Sequence, residues 1–179
     1  MRASQRMFAV AILCLSSLAA GQSLPVEVIA NQLLGPQWKQ LARRAGIIFA
    51  GTVLATAAQT LTPTPVTERA IPGAIPAIQL RFRVDEAIAG VESGQILTVH
   101  EWAGVLSMHR ALRPGEHILI FLYAPSRLGL TSPVGGPLGV IALDSGGKSL
   151  TTLPSGARLD TANISVGQLE RAIRSAREE

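Results

Sequence analysis

From Ala77 to Ile88 apolar and polar side chains change places at every step: Ile78, Leu80, Phe82 and Val84 alternate with Gln79, Arg81, Arg83 and Asp85. A period of two belongs to a β-strand with one face buried and the other in water. A helix repeats every 3.6 residues and cannot gather that set on one stripe. A chain with this segment near its middle must build a sheet and must supply partners for it.

The partners follow on both sides. Ile47 to Ala57 reads as a strand with Ile47, Phe49, Gly51 and Val53 facing one way. Its other face, Ile48, Ala50, Thr52 and Leu54, is nearly as apolar, which predicts a central strand. Gly90 to Gly94 supplies a turn, and Gln95 to Trp102 returns beside the alternating strand. Arg113-Pro114-Gly115 turns the chain into His117 to Tyr123. Val140–Leu143 and Ser149–Leu153 read as a hairpin around Asp144-Ser145-Gly146-Gly147. Gln59 to Pro76 holds four prolines and reads as a mobile loop.

Two helices frame these strands. Pro36 to Ala45 puts Trp38, Leu41, Ala42 and Ala45 on one side, and Gly46 stops it. Val166 to about Arg177 opens on a capping box, Ser165 with Gln168, and carries the stripe Val166, Leu169, Ile173, Ala176. The expected fold class is mainly β: a small OB-like closed or partly closed barrel with a short N-terminal helix and a C-terminal helix. Phe49, Phe82 and Phe121 are assigned to its core. Closure would remove the sheet edges that are otherwise open to pairing with other chains.

The N-terminus reads as an export signal. Arg2 and Arg6 precede the uncharged apolar run Met7–Ala20, and Ser17, Ala19, Ala20 and Gly21 crowd its exit. A spanning helix wants about 20 apolar residues, and this run is shorter. Cleavage after Ala19 or Gly21 is expected, giving a secreted or periplasmic protein with no membrane span. The segments are then 1–21, a cleaved signal peptide; 22–46, an N-terminal segment with a short helix; 47–153, the barrel; and 154–179, a linker with the amphipathic helix. Cleavage removes Cys14, the only cysteine, so the exported domain must hold together without disulfides. A chain of about 150 residues buries roughly 70% of its unfolded surface and can do so. Loss of Arg2 and Arg6 also lowers the net charge from +4 to +2. Nothing in that charge calls for nucleic acid or anionic lipid.

Three segments carry a resemblance: Ile48-Phe49-Ala50-Gly51-Thr52-Val53, then Leu80-Arg81-Phe82-Arg83-Val84 running on to Ala89-Gly90, then Gly115-Glu116-His117-Ile118-Leu119-Ile120-Phe121. Together they resemble the OB-fold, netrin-type domain shared with tissue inhibitors of metalloproteinases, in the form seen in secreted bacterial proteins. The resemblance spans about 47–123 and implies a five-stranded barrel with flanking helices and a non-enzymatic binding role. In the inhibitors a mature N-terminal cysteine chelates the target's zinc and disulfides brace the domain. This sequence offers neither, so the resemblance implies the scaffold without that chemistry.

Catalytic patterns do not assemble. Asp144-Ser145-Gly146-Gly147 matches a serine-protease nucleophile loop, yet no histidine motif precedes it, and the residues are good turn formers. Gly146-Gly147-Lys148-Ser149 lacks the first glycine of a phosphate-binding loop, Ala142 standing in its place. His100-Glu101 begins like a zinc-protease helix, but Gly104 stands where the second histidine belongs. His109 and His117 are scattered. No metal, no cofactor and no catalytic role is therefore assigned. Arg81 and Arg83 read as a solvated strand face, with Trp38, Trp102 and Tyr123 left as possible stacking platforms.

One segment stands out. Ala124 to Gly139 has 16 residues with four glycines and three prolines, and loops of that length are uncommon in compact domains unless functional or disordered. Leu128, Leu130, Val134 and Leu138 argue against disorder, since they would pack. Its glycines Gly135 and Gly136 could present backbone N–H groups beside Arg127, Thr131 and Ser132, and these five residues are the candidate binding site. The alternative is a structural loop covering the open end of the barrel. The expected function is a secreted non-catalytic binding module whose partner is an extracellular or periplasmic protein, of no assigned oligomeric state. The other readings are a structural or envelope-associated protein without a discrete ligand and, less favoured, an enzyme of unrecognised type.

Overall fold

The computed structural model describes residues 26–61, 75–103, 111–144 and 166–179. The signal segment 1–21 with Cys14, residues Gly104 and His109, and the hairpin partner Ser149–Leu153 with its Ser145-Gly146-Gly147 turn lie outside the described residues.

The alternating segment is strand β2, Ile75–Ala89, and its neighbour Ile47–Leu61 is strand β1. They pair antiparallel from Ile48↔Ala89 to Leu61↔Ile75. Both run further than the sequence pattern indicated, so residues 59–61 and 75–76 are strand rather than loop. Pro76 fits there because the next ladder, to strand β3 at Ile96–Trp102, starts only at Ala77. Strand β4, His117–Leu122, pairs antiparallel with Ile47–Thr52 of β1, and strand β5, Val140–Leu143, pairs with β4.

The strand order is β3-β2-β1-β4-β5. β1 is central, as its two apolar faces require. Register shifts at Ile48/Phe49, Ala50/Gly51 and Val53/Ala55 bend it. Among the described residues no ladder joins β3 to β5, so the five-stranded antiparallel sheet is open there, and of the closed or partly closed barrel expected from the strand pattern the closed form is not seen.

Each face of the bent sheet has its own core. The inner face gathers Phe49, Val53, Leu80, Phe82, Val84, Val99, Ile118, Ile120 and Leu122, with the rings of Phe49 and Phe82 edge to face at 5.4 Å. The other face packs Ile48, Ala50, Leu119, Phe121, Ile141 and Leu143 under three helices. These are α1 at Val26–Leu34, α2 at Trp38–Arg44 and α3 at Val166–Glu178. Phe121 therefore belongs to the helix layer and not to the inner core with Phe49 and Phe82. Helix α1 was not anticipated, although Ala30 and Leu34, four apart, are both buried and Pro25 and Gly35 bracket it in sequence. Helix α3 buries Val166, Leu169, Ala172, Ile173 and Ala176, the stripe its sequence displays plus one alanine. Among the described residues no helix is long and apolar enough to cross a membrane.

Candidate functional site

The loop after β4 is ordered by backbone bonds. Ser126 staples its first turn: its N–H bonds the Leu130 carbonyl at 2.8 Å, and its Oγ accepts from the N–H groups of Leu128 and Leu130. Gly129 closes that turn in the left-handed region at φ 72°. The chain then runs extended between two strands. On the β4 side, Tyr123 N–H donates to the Ser132 carbonyl at 3.0 Å and Val134 N–H to the Phe121 carbonyl at 2.8 Å. On the β3 side, Thr131 N–H donates to the His100 carbonyl at 2.8 Å. Isolated bridges accompany these bonds, His100 with Leu130 in parallel and Leu122 with Pro133 antiparallel. The segment 130–134 is thus a seam between β3 and β4. A 3-10 turn, Gly136–Gly139, leads from it into β5.

The sequence-chosen residues divide along this seam. Arg127 is exposed on the turn before it. Thr131 lies inside it at 7% exposure, its hydroxyl donating to the Tyr123 carbonyl at 2.6 Å. Ser132 is half-buried and gives its carbonyl to Tyr123. Gly135 and Gly136, both left-handed, follow the seam, and the Gly136 N–H bonds the Pro133 carbonyl at 3.1 Å. The structure therefore brings Thr131 and Ser132 together, sets Arg127 apart, and engages the Thr131 hydroxyl and the Gly136 amide within the loop itself. Val134 packs as expected, but Leu128 and Leu138 are exposed. Backbone bonding, not leucine burial, orders most of this loop.

Aromatic placement sharpens the surface. Trp38 is 4% exposed in the helix layer and offers no stacking platform. Trp102 and Tyr123 are 52% and 38% exposed. Trp102 is the last residue of β3 and Tyr123 follows directly after β4, the two strands that the seam joins. Half-exposed aromatics on a rigid frame are the side chains that most often anchor partners.

Two further polar features escaped the sequence reading. On the helix-side face, beyond the helices, Arg83 Nε donates to Asp85 Oδ1 at 2.7 Å and Arg83 Nη2 to Thr52 Oγ1 at 3.2 Å. Thr52 Oγ1 donates its single proton to Asp85 Oδ2 at 2.8 Å. Its 3.2 Å contact with His117 Nδ1 must then be donated by the imidazole. The neutral His117 consequently carries its proton on Nδ1 and keeps the Nε2 lone pair free of it. The proton points from histidine to threonine, opposite to what activating Thr52 as a nucleophile needs. Arg83, read as a merely solvated residue, is a tie between β2 and β1. The pairing was invisible in sequence because Thr52, Asp85 and His117 sit on three strands.

The second feature is Glu101. It lies on β3 opposite Ile78 and is 4% exposed, and among the described residues its Oε1 has no hydrogen-bond partner. Burial pushes its carboxyl up to about 7. Sequence placed it in a failed zinc motif, whereas the strand register turns it inward. Among the described residues no three His, Cys, Asp or Glu side chains converge as a metal would require. No protein-family model matches the chain, and no curated protein matches it.

Proposed function

We propose that this protein is an exported, non-catalytic binding module on a partly closed, OB-like barrel of the netrin type, with its contact surface at the 130–134 seam. The observation that carries this reading is the backbone bonding of that seam to both β3 and β4, with Trp102 and Tyr123 exposed at the ends of the strands it joins. A loop fixed in this way holds Arg127, Leu128 and the two rings on a preorganised frame, which lowers the ordering cost of binding. The two single bridges that carry the chain from β3 across the seam to β4 support a partly closed barrel. The partner is an extracellular or periplasmic protein met through aromatic and arginine contacts.

Crosslinking and pull-down from the producing organism's secreted fraction tests this reading. Wild-type protein recovers a discrete partner, Trp102→Ala loses it, and Arg127→Ala combined with Ser132→Ala weakens it. Recovery unchanged in both variants would remove the seam from the function.

A further inference from the structure

Glu101 is a buried acid with no task in the binding surface just described. Leu97, Val99 and Glu101 occupy alternate positions of β3, and Val99 and Leu97 belong to the inner core. Its cross-strand partner Ile78 belongs there too, as do Leu80 of β2, Leu112, and Ile118, Ile120 and Leu122 of β4. The charged and titratable residues of the same elements stand elsewhere. Arg81, Arg83 and Asp85 on β2, Arg113 before β4 and Arg127 in the loop are exposed, and His100, Glu116 and His117 are half-buried. His100 takes the opposite face of β3, where its Nε2 lies 3.5 Å from Gln79 Nε2. Among the described residues, nothing supplies Oε1 with a donor.

Among the described residues Oε1 meets neither a donor nor a cation, and burial of that oxygen disfavours the ionised form. A route of relief lies close by in the chain. Immediately before Glu101, the His100 carbonyl takes the Thr131 N–H, the bond that ties the seam to β3. On its other side the seam is held to β4 by three bonds: Tyr123 N–H to Ser132, Val134 N–H to Phe121, and the Thr131 hydroxyl to Tyr123. Among the described residues the β3 side therefore has fewer bonds to lose than the β4 side.

We propose that Glu101 is a proton-operated latch beneath the seam: with its carboxyl protonated the segment 130–132 stays bonded to β3, and on ionisation that segment leaves β3 and admits water. The proton released goes to solvent, and no other group is required. The binding surface would then be rigid in mildly acidic surroundings and loosened in alkaline ones.

Hydrogen exchange of the Thr131 amide, read by NMR at pH 5.5 and pH 8 and corrected for the intrinsic rate, tests the latch. Protection of that amide falls roughly tenfold or more in the wild type across this range, as expected for a carboxyl released from burial. It stays level in Glu101→Gln. Glu101→Leu, which fits the apolar surroundings, serves as a second variant and also stays level. Unchanged protection in the wild type overturns the proposal, as does an equal fall in the Glu101 variants. A fall abolished instead by His100→Gln assigns the effect to the wrong residue and overturns it too. The readout is exchange and not capture of a partner, so the latch and the binding reading fail separately.

Discussion

Arg43 and Arg177 close each other's helices. Arg43 Nε donates to the Ala176 carbonyl near the end of α3 at 2.9 Å. Arg177 Nη1 donates to the carbonyls of Ala42 and Ala45 at the end of α2, at 2.7 and 2.6 Å. The last carbonyls of a helix lack partners within it, and they carry the negative end of its dipole. Each guanidinium satisfies the other helix's orphans and clamps the two together over the sheet.

Arg177→Ala is therefore expected to destabilise the fold by about 1.5–3 kcal/mol, the range for hydrogen bonds made by charged groups. Urea unfolding measures it. Arg43→Ala costs less, because its second contact, Arg43 Nη2 to Glu179, is exposed. The double variant should fall short of the sum of the two, since both arginines hold one interface. Strict additivity would show that the caps act independently.

Gly51 is the second place where one atom decides the outcome. A Cβ there would run into the backbone carbonyl of Arg83 and would touch the Phe49 ring. The carbonyl cannot yield without parting β1 from β2. Gly51→Ala is expected to cost on the order of 3 kcal/mol. Gly94, at φ 82° with open space around it, provides the contrast: Gly94→Ala should lose only about 1–2 kcal/mol, the left-handed backbone penalty. Thermal melts of the two variants rank them, and a Gly51→Ala protein as stable as Gly94→Ala would contradict the clash.

Which features were legible in the sequence follows from what carries each one. The alternation of β2 and the stripe of α3 are carried by residue type at a fixed period, and both were readable. β4 is apolar on both faces, so its pattern cannot say which core receives Phe121. That assignment needs the helix layer. The seam is invisible because its bonds run backbone to backbone, through the Thr131 and Val134 amides and the His100 and Phe121 carbonyls, which any residue possesses. The candidate site was therefore located by loop length and composition alone. Thr131 was chosen for its place beside the loop glycines, and the fold itself uses its hydroxyl. Glu101 stands next to last in an otherwise ordinary strand, and only the register of β3 on β2 turns it inward.

The Thr52–His117 contact predicts a tautomer. With Thr52 donating to Asp85, neutral His117 holds its proton on Nδ1, whereas free histidine favours Nε2–H. Nitrogen-15 shifts of the ring at pH 8.5 should show Nδ1–H as the main form. Thr52→Val should abolish that preference and destabilise the protein by about 1–2 kcal/mol, because Asp85 and Arg83 each lose a partner. A ring already in the Nε2–H form in the wild type would contradict the bonding scheme.

The Glu101 carboxyl also fixes a pH dependence of global stability. Its folded value is raised by burial to about 7 from an ordinary 4.5. Between those values the folded chain holds a proton that the unfolded chain has released, so stability falls as pH rises. The loss begins near pH 4.5, when the unfolded carboxyl ionises, and is complete above pH 7, when both states are ionised. At 1.36 kcal/mol per unit its full size is about 3 kcal/mol. Glu86 is also raised, first by burial and then by its bond to Glu170, and it slopes the same way. Glu170 is lowered, chiefly by Arg174, and slopes the other way. Subtraction isolates Glu101: the stability of Glu101→Gln minus that of wild type should grow from pH 5 to pH 8. If the seam opens locally when the carboxyl ionises, the charge finds water without global unfolding, and the growth is smaller than the full value. A difference flat across this range would mean that the carboxyl already finds a partner in the folded state.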